Sequence, residues 1–424
     1  MTRAEESGTT RVPGPQRPEP AVTEHRQDRG GDPVTGAGAG EQLGRPGKRG
    51  PVGFRPDVQA LRALAVSVTV VNHLWPNSPL TGGYVGVDVF FVISGFLISS
   101  QLIREIDGTG HLRLAQFYAR RVRRLLPAAF LVLLFVAIAA YVFVPRTHWP
   151  AYGREVSASA LYWQNWLVAT KPADPTLFTA LQHYWSLSVE EQFYLCWPLL
   201  LLLLFKISPK FRFTGIAVVG LASLAYSVYL TGANQYMAYL ITPVRVWELA
   251  LGAVVAMAGT KLELPRIAAN LASLAGLAAI VFAVLVFNDY SEFPGALALV
   301  PAVGAALVIV GGTNPNRQWH SPVTSSAPVQ LVGDLSYSLY LWHWPLIVLT
   351  PYAFPAAVAG GKLSTPTSLA IVAASLVLAY LSKRFVEDPI RFWPPLVRNL
   401  RLTFAGMVAG IVVVCAVASG LLLA

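Results

Sequence analysis

Arg62 and His73 stand eleven residues apart in the stretch Phe54 to Ile98, which otherwise reads as hydrophobic helix, polar turn, hydrophobic helix. Eleven steps of about 100° make three turns plus about 20°. One helix face therefore carries both side chains, separated by about 16 Å along the axis. That is roughly half of a ~30 Å hydrocarbon core. An ionisable group facing lipid is costly, so the pair is expected to turn toward a cavity or a partner. A cation near one end and an imidazole deeper in, with an ordinary pKa of ~6.5 suited to general-base work, is a layout for holding an anion and moving a proton. A histidine that merely satisfies a helix interface is the competing reading of His73.

Four further groups could do chemistry. Arg120, Arg121, Arg123 and Arg124 lie in RRVRRLLP. They read as a topology signal that binds anionic lipid, as a bidentate phosphate clamp, or as both. Glu190 and Glu191 enter an apolar run in HYWSLSVEEQFY; neighbours on a helix point about 100° apart, so at most one faces a given cavity squarely. They orient His73 or an acceptor hydroxyl, or they are solvated carboxylates favoured at a helix start. Arg245 and Glu248 are spaced i, i+3 for a buried ion pair. In GDLSYSLYLWHWP, Ser336, Tyr337 and the second intramembrane histidine, His343, make a polar span, and Asp334 is expected to cap its helix. Asp88, in GGYVGVDVFF, joins the supporting polar set, and Phe385–Arg391 reads as a surface turn ended by Pro389.

Hydrophobic helices must position these groups. The chain has 424 residues, 54% hydrophobic and 13% charged. A soluble protein of this length has no core large enough for that apolar share, which makes this a polytopic membrane protein. About eleven apolar runs occur, near 57–75, 84–103, 125–145, 187–205, 213–231, 236–258, 267–287, 295–312, 329–350, 366–386 and 401–423. The net charge of +10 does not indicate nucleic acid, because the cations sit in the gaps between runs. Alternate gaps hold Arg104 to Arg124, Lys206 to Arg212, Lys261 and Arg266, Arg317, and Lys383 to Arg398, against only Arg146, Arg154, Lys171 and Lys362 in the others. The first set is expected to be cytoplasmic, with the N-terminus inside and Ala424 outside. Gly82, Gly83, Gly86 and Gly95 allow close helix packing. The aromatics between Trp149 and Trp185, Phe178 included, read as an interface belt or a sugar-stacking surface. Cys196 and Cys415 read as buried small hydrophobes, with no disulfide framework and no metal-ligand spacing. Residues 1–50 lack large apolar side chains and read as a disordered tail.

Taken in order, Arg62-x10-His73, GGYVGVDVFFVISGFLI, RRVRRLLP, HYWSLSVEEQFYLCWP, RVWELALG, LSYSLYLWHWPL and FVEDPIR resemble the acyltransferase-3 family of integral membrane O-acyltransferases. The resemblance covers about 54–392. It implies an all-α transmembrane bundle with a ten-helix core plus an eleventh span. It also implies a bacterial inner-membrane location, acyl-CoA (acetyl-CoA above all) as donor, and a glycan or lipid-linked sugar as acceptor. Matched residue by residue, Arg62, His73 and Glu190 take the catalytic positions, and Arg120, Arg121, Arg123 and Arg124 the donor-binding ones. The expected division is a tail at 1–50, an acyltransferase domain at 51–395 and an additional helix at 396–424. Relatives with an eleventh span usually continue into an SGNH hydrolase-like domain. The sequence here stops in apolar residues, and three expectations stay open: a longer protein of which this is a part, a separate SGNH-type partner, or no need of one. The alternative from another class is a transporter with a buried Arg/His/Glu proton relay, against which the lack of an internal repeat argues.

Overall fold

The computed structural model describes residues 54–171, 179–207, 211–259, 262, 264–314, 318–359 and 362–423. The proposed tail at 1–50, and Phe178, Lys210, Lys261 and Arg317, lie outside the described residues.

Helices account for almost all of it. They are α1 (Pro56–Leu74), α2 (Gly86–Thr109), α3 (Leu114–Phe143), α4 (Trp149–Ala160), α5 (Gln164–Ala169), α6 (Tyr184–Ile207), α7 (Phe211–Ala233), α8 (Gln235–Leu240) and α9 (Thr242–Ala258). Then follow α10 (Arg266–Val286), α11 (Leu299–Gly311), α12 (Ser321–Thr324), α13 (Ala327–Ala353), α14 (Thr365–Ser382), α15 (Asp388–Phe392), α16 (Pro394–Arg398) and α17 (Leu400–Leu423). A two-residue antiparallel ladder, Val358–Ala359 with Lys362–Leu363, is the sheet among the described residues.

Each of the eleven apolar runs is helical, the run 236–258 as the two helices α8 and α9, and seven of the runs give helices long and apolar enough to cross a membrane. The other four are informative. α1 and α13 are diluted by the polar residues that build the site, while α9 and α11 have 17 and 13 residues. Backbone hydrogen bonds cannot be left open in hydrocarbon, which is why apolar runs of this length fold as helices.

The packing follows the small residues. α1 lies against α13 and α2, α2 against α9, α9 against α7, and α17 against α4 and α3. At the α2–α9 crossing a side chain at Gly95 would run into the backbone of Leu249, and one at Gly252 into the carbonyl of Val92. Only glycine permits that approach, which brings α9's Arg245 to α2's Asp88 about two turns from each glycine.

Several expectations need correction. The third helix begins at Leu114, not near 125, so the arginine cluster is helical rather than flanking. The run 236–258 breaks at Ile241, extended at ψ 140°, before Pro243 starts α9. Asp334 lies eight residues into α13 and caps nothing; it pairs with Lys383 at 3.2 Å. Phe385–Arg391 is not a surface turn: a π-helical turn, Lys383–Glu387, runs on into α15, and buried Glu387 accepts a hydrogen bond from Ser338. Cys196 is exposed on the helix surface, not buried. Trp149, Tyr152, Tyr184 and Trp185 are core residues rather than a belt, with Trp163 exposed.

Candidate active site

Two cavities lie back to back along α1, α2, α6 and α13. The first, with about 760 Å³ of atom-free space, is lined by Arg62, Arg121, Arg124, Glu190 and Tyr194 among others. The second is lined by His73, Gln182, His183, Tyr84, Tyr239 and Trp344. Val87 and Tyr340 line both, so the two cavities meet at these side chains. We call the two ends of the bundle the arginine end and the histidine end. Helix geometry makes the separation: Arg62 and His73 share a face of α1 but sit three turns apart, so each opens into a different cavity.

At the arginine end, the cluster in α3 divides. Arg121 and Arg124, three residues apart, line the cavity with Arg62. Arg121 stacks its guanidinium over Tyr194 at 4.3 Å, and Arg62 donates to Gln59 at 3.2 Å. Arg120 turns away to Glu105 at 3.1 Å. Arg123 is 8% exposed and donates to the Leu396 carbonyl and the Thr403 hydroxyl, both at 3.2 Å, tying α3 to the chain around α16 and α17. Of the four arginines expected to form a clamp, two therefore line the cavity, together with Arg62. Glu190 is held by the hydroxyls of Ser94 and Tyr194. Glu191, beside it on α6, is within electrostatic reach of Arg121 and Arg124. Ser336 lines the same cavity and its buried hydroxyl has no hydrogen-bond partner, whereas Tyr337 donates to the Leu125 carbonyl at 2.8 Å.

At the histidine end, His73 meets His343 rather than Glu190, the partner expected from sequence. His73 Nδ1 is 3.0 Å from His343 Nε2, and the two rings are nearly coplanar, 2° apart. The edge of Trp344 packs on His73 at 4.7 Å between centroids. Hydrogen-bond chemistry assigns the protons. His343 Nδ1 is 2.7 Å from the Tyr340 carbonyl, which only accepts, so Nδ1 carries a proton. In a neutral ring His343 Nε2 is then an acceptor, and His73 Nδ1–H must donate to it. His73 Nε2 is left with a free lone pair.

The buried cation pair predicted on α9 is a triad. Arg245 donates to Asp88 at 2.8 Å and pairs with Glu248 at 3.2 Å, all three fully buried. Removing Arg245 would strand its two carboxylate partners in the core, costing about 3–5 kcal/mol. Phe91, Trp185, Tyr239 and Phe293 surround the guanidinium. Trp185 and Tyr239 are also walls of the histidine-end cavity, so the triad braces that cavity from behind. Sequence reasoning missed Ser94, Tyr194, His183 and Tyr340. All four lie in the motifs quoted above, but their roles depend on contacts between helices. Among the described residues no three His, Cys, Asp or Glu side chains converge as metal ligands.

A helical membrane protein whose polar groups line two neighbouring internal cavities is the class this geometry defines. The acyltransferase domain that defines the acyltransferase-3 family matches residues 55–384, and the chain belongs to that family of acyltransferases. It is similar to the peptidoglycan O-acetyltransferase OatA of Listeria monocytogenes, 32% identical over 361 residues that cover 80% of this chain and 56% of the relative. It is also similar to the O-acetyltransferase OatA of Staphylococcus aureus, 29% identical over 357 residues, 80% of this chain and 57% of the relative. The chain thus spans little more than half the length of these curated relatives. No solved structure matches it.

Proposed function

We propose that this chain is a membrane O-acyltransferase that takes an acyl group from cytoplasmic acyl-CoA, acetyl-CoA above all, at the arginine end and passes it to a glycan hydroxyl at the histidine end. The observation that carries the reading is the pair of cavities, one lined by arginines and one by histidines, that share Val87 and Tyr340 as lining residues. Arg62, Arg121 and Arg124 offer guanidinium groups suited to CoA phosphates. A pantetheine arm is slender enough to follow the channel past Val87, bringing its thioester to His73. His73 Nε2 then takes the hydroxyl proton as the acceptor oxygen forms a bond to the thioester carbon. The carbon–sulfur bond breaks and the proton passes to the departing thiolate. His343 is a positioning residue: it fixes the tautomer that leaves Nε2 free. Attack by His73 Nε2 itself, followed by transfer from an acyl-imidazole, uses the same geometry.

The charge asymmetry supports an orientation with the arginine end in the cytoplasm and the C-terminus outside, in the inner membrane of a bacterium. On this reading the helices of the eleven apolar runs build the membrane bundle, as a ten-helix core at 51–395 plus α17. The printed activity of the Listeria relative favours a cell-wall glycan, or a lipid-linked precursor of one, as acceptor. Because the relatives are longer, delivery to that acceptor can involve an extracytoplasmic SGNH-type module or partner.

Val87→Phe tests the shared channel. The larger ring should close the passage, so acyl-CoA still binds while transfer to any acceptor falls at least tenfold. Undiminished transfer by a folded Val87→Phe protein would mean that the acyl group takes another route.

A further inference from the structure

The histidine-end cavity holds a second imidazole that the transfer chemistry does not use. His183, at the foot of α6, is 3% exposed and lines that cavity. Its Nε2 is 3.2 Å from the Leu341 carbonyl, which can only accept, so Nε2 carries the proton of the neutral ring. Nδ1 is therefore a lone-pair acceptor, and it is buried with no hydrogen-bond partner. The side-chain oxygen of Gln182, lining the same cavity, is likewise buried and unpartnered. Buried acceptors without donors are uncommon, because each forfeits its hydration on folding. The His183 ring is not free to swing out: its edge packs against Tyr184 at 5.0 Å and His343 at 5.8 Å between centroids.

We propose that His183 Nδ1 is a specificity-determining acceptor. On this assignment it receives a second O–H or N–H donor that lies next to the hydroxyl being acylated. The assignment rests on the reading of the histidine end as the acceptor side. With His73 Nε2 taking the reacting hydroxyl, the cavity confronts its ligand with unpaired acceptors and aromatic walls from Tyr84, Tyr239 and Trp344. The ligand class that complements this is a ring bearing adjacent donors: a sugar with a vicinal hydroxyl or acylamino group. A single alcohol would leave His183 Nδ1 unpaired. A site built to receive a donor discriminates strongly against ligands that lack it.

The test uses the purified full-length protein with acetyl-CoA, and follows alcohol-dependent release of CoA with two ring-sized probes, cyclohexanol and cis-1,2-cyclohexanediol. The wild-type protein should favour the diol by about tenfold in kcat/KM, the scale of one buried hydrogen bond. His183→Gln keeps an N–H for the Leu341 carbonyl but places no acceptor at Nδ1, so the ratio should collapse to within twofold. His183→Asn places an oxygen near the Nδ1 position and should keep most of the preference. The ratio is taken within each variant, so a general loss of turnover cancels. A wild type that uses both probes equally, or a His183→Gln protein that keeps the tenfold ratio, would overturn the assignment alone. No release of CoA dependent on either alcohol would overturn the acyl-transfer reading and this assignment with it.

Discussion

The arginine end and the histidine end share α1, α2, α6 and α13, but only the arginine end adds α3. The arginine end is built of charges that remain available: Arg121 and Arg124 face the cavity, and Arg62 spends a single hydrogen bond on Gln59. The histidine end is built of neutral rings, each locked by a backbone carbonyl or by the next ring. Long-range attraction for an anion needs free cations and tolerates imprecision. Proton transfer needs a lone pair aimed within hydrogen-bond reach, and that requires a fixed tautomer. If the two ends carry affinity and chemistry as proposed, the two are separable, and substitutions at one end should leave the other standing.

The largest expected effect is at His73. His73→Gln retains size and hydrogen bonding but cannot take a proton at neutral pH. Turnover should fall by about 10²–10⁴-fold, the usual cost of losing a positioned base, and further if an acyl-imidazole forms. Acyl-CoA affinity, measured by calorimetry, should stay within twofold, because the three cavity arginines are untouched. Near-normal turnover in His73→Gln would make the histidine end structural and remove the contrast.

Next comes the reciprocal experiment. Arg121→Gln with Arg124→Gln removes two charge-assisted contacts, each about 1–2 kcal/mol in a cavity partly open to solvent. Acyl-CoA affinity should drop roughly 30- to 1,000-fold and lose its salt dependence, while turnover at saturating donor falls far less. A large drop in saturated turnover with affinity intact would show that the two ends are not separable.

How much of this was legible beforehand depends on the range of the interaction. The eleven helices were legible because each is a run of neighbours in the chain. The α1 face carrying Arg62 and His73, and the Arg245–Glu248 spacing, were legible for the same reason. The His73–His343 pair was not: its members are 270 positions apart, and each looked like a separate intramembrane histidine. Asp88 as third member of the Arg245 triad was equally hidden, since it depends on the glycine crossing of α2 with α9. The arginine cluster misled in the opposite sense. Four adjacent cations looked equivalent, and only the helix phase and the positions of Glu105 and Thr403 separate those that face the cavity from those that do not.

The smallest expected effect sharpens that last distinction. Arg120 is the cluster member nearest in type and position to Arg121, yet its guanidinium pairs with Glu105 at 3.1 Å, and its side chain is 40% exposed. Exposed ion pairs contribute about 0–1 kcal/mol once solvent screening is counted, so Arg120→Gln should lower stability by less than that. Acyl-CoA affinity should change by less than twofold, because Arg120 lines neither cavity. Residual long-range attraction from one screened charge is of the same small size beyond a Debye length of about 8–10 Å. The measurement is a parallel titration of Arg120→Gln and Arg121→Gln with acyl-CoA at two salt concentrations. Equal losses in the two variants would mean that the cluster acts as a diffuse positive patch. A loss confined to Arg121→Gln would mean that the helix phase of α3, and not its charge count, builds the donor site.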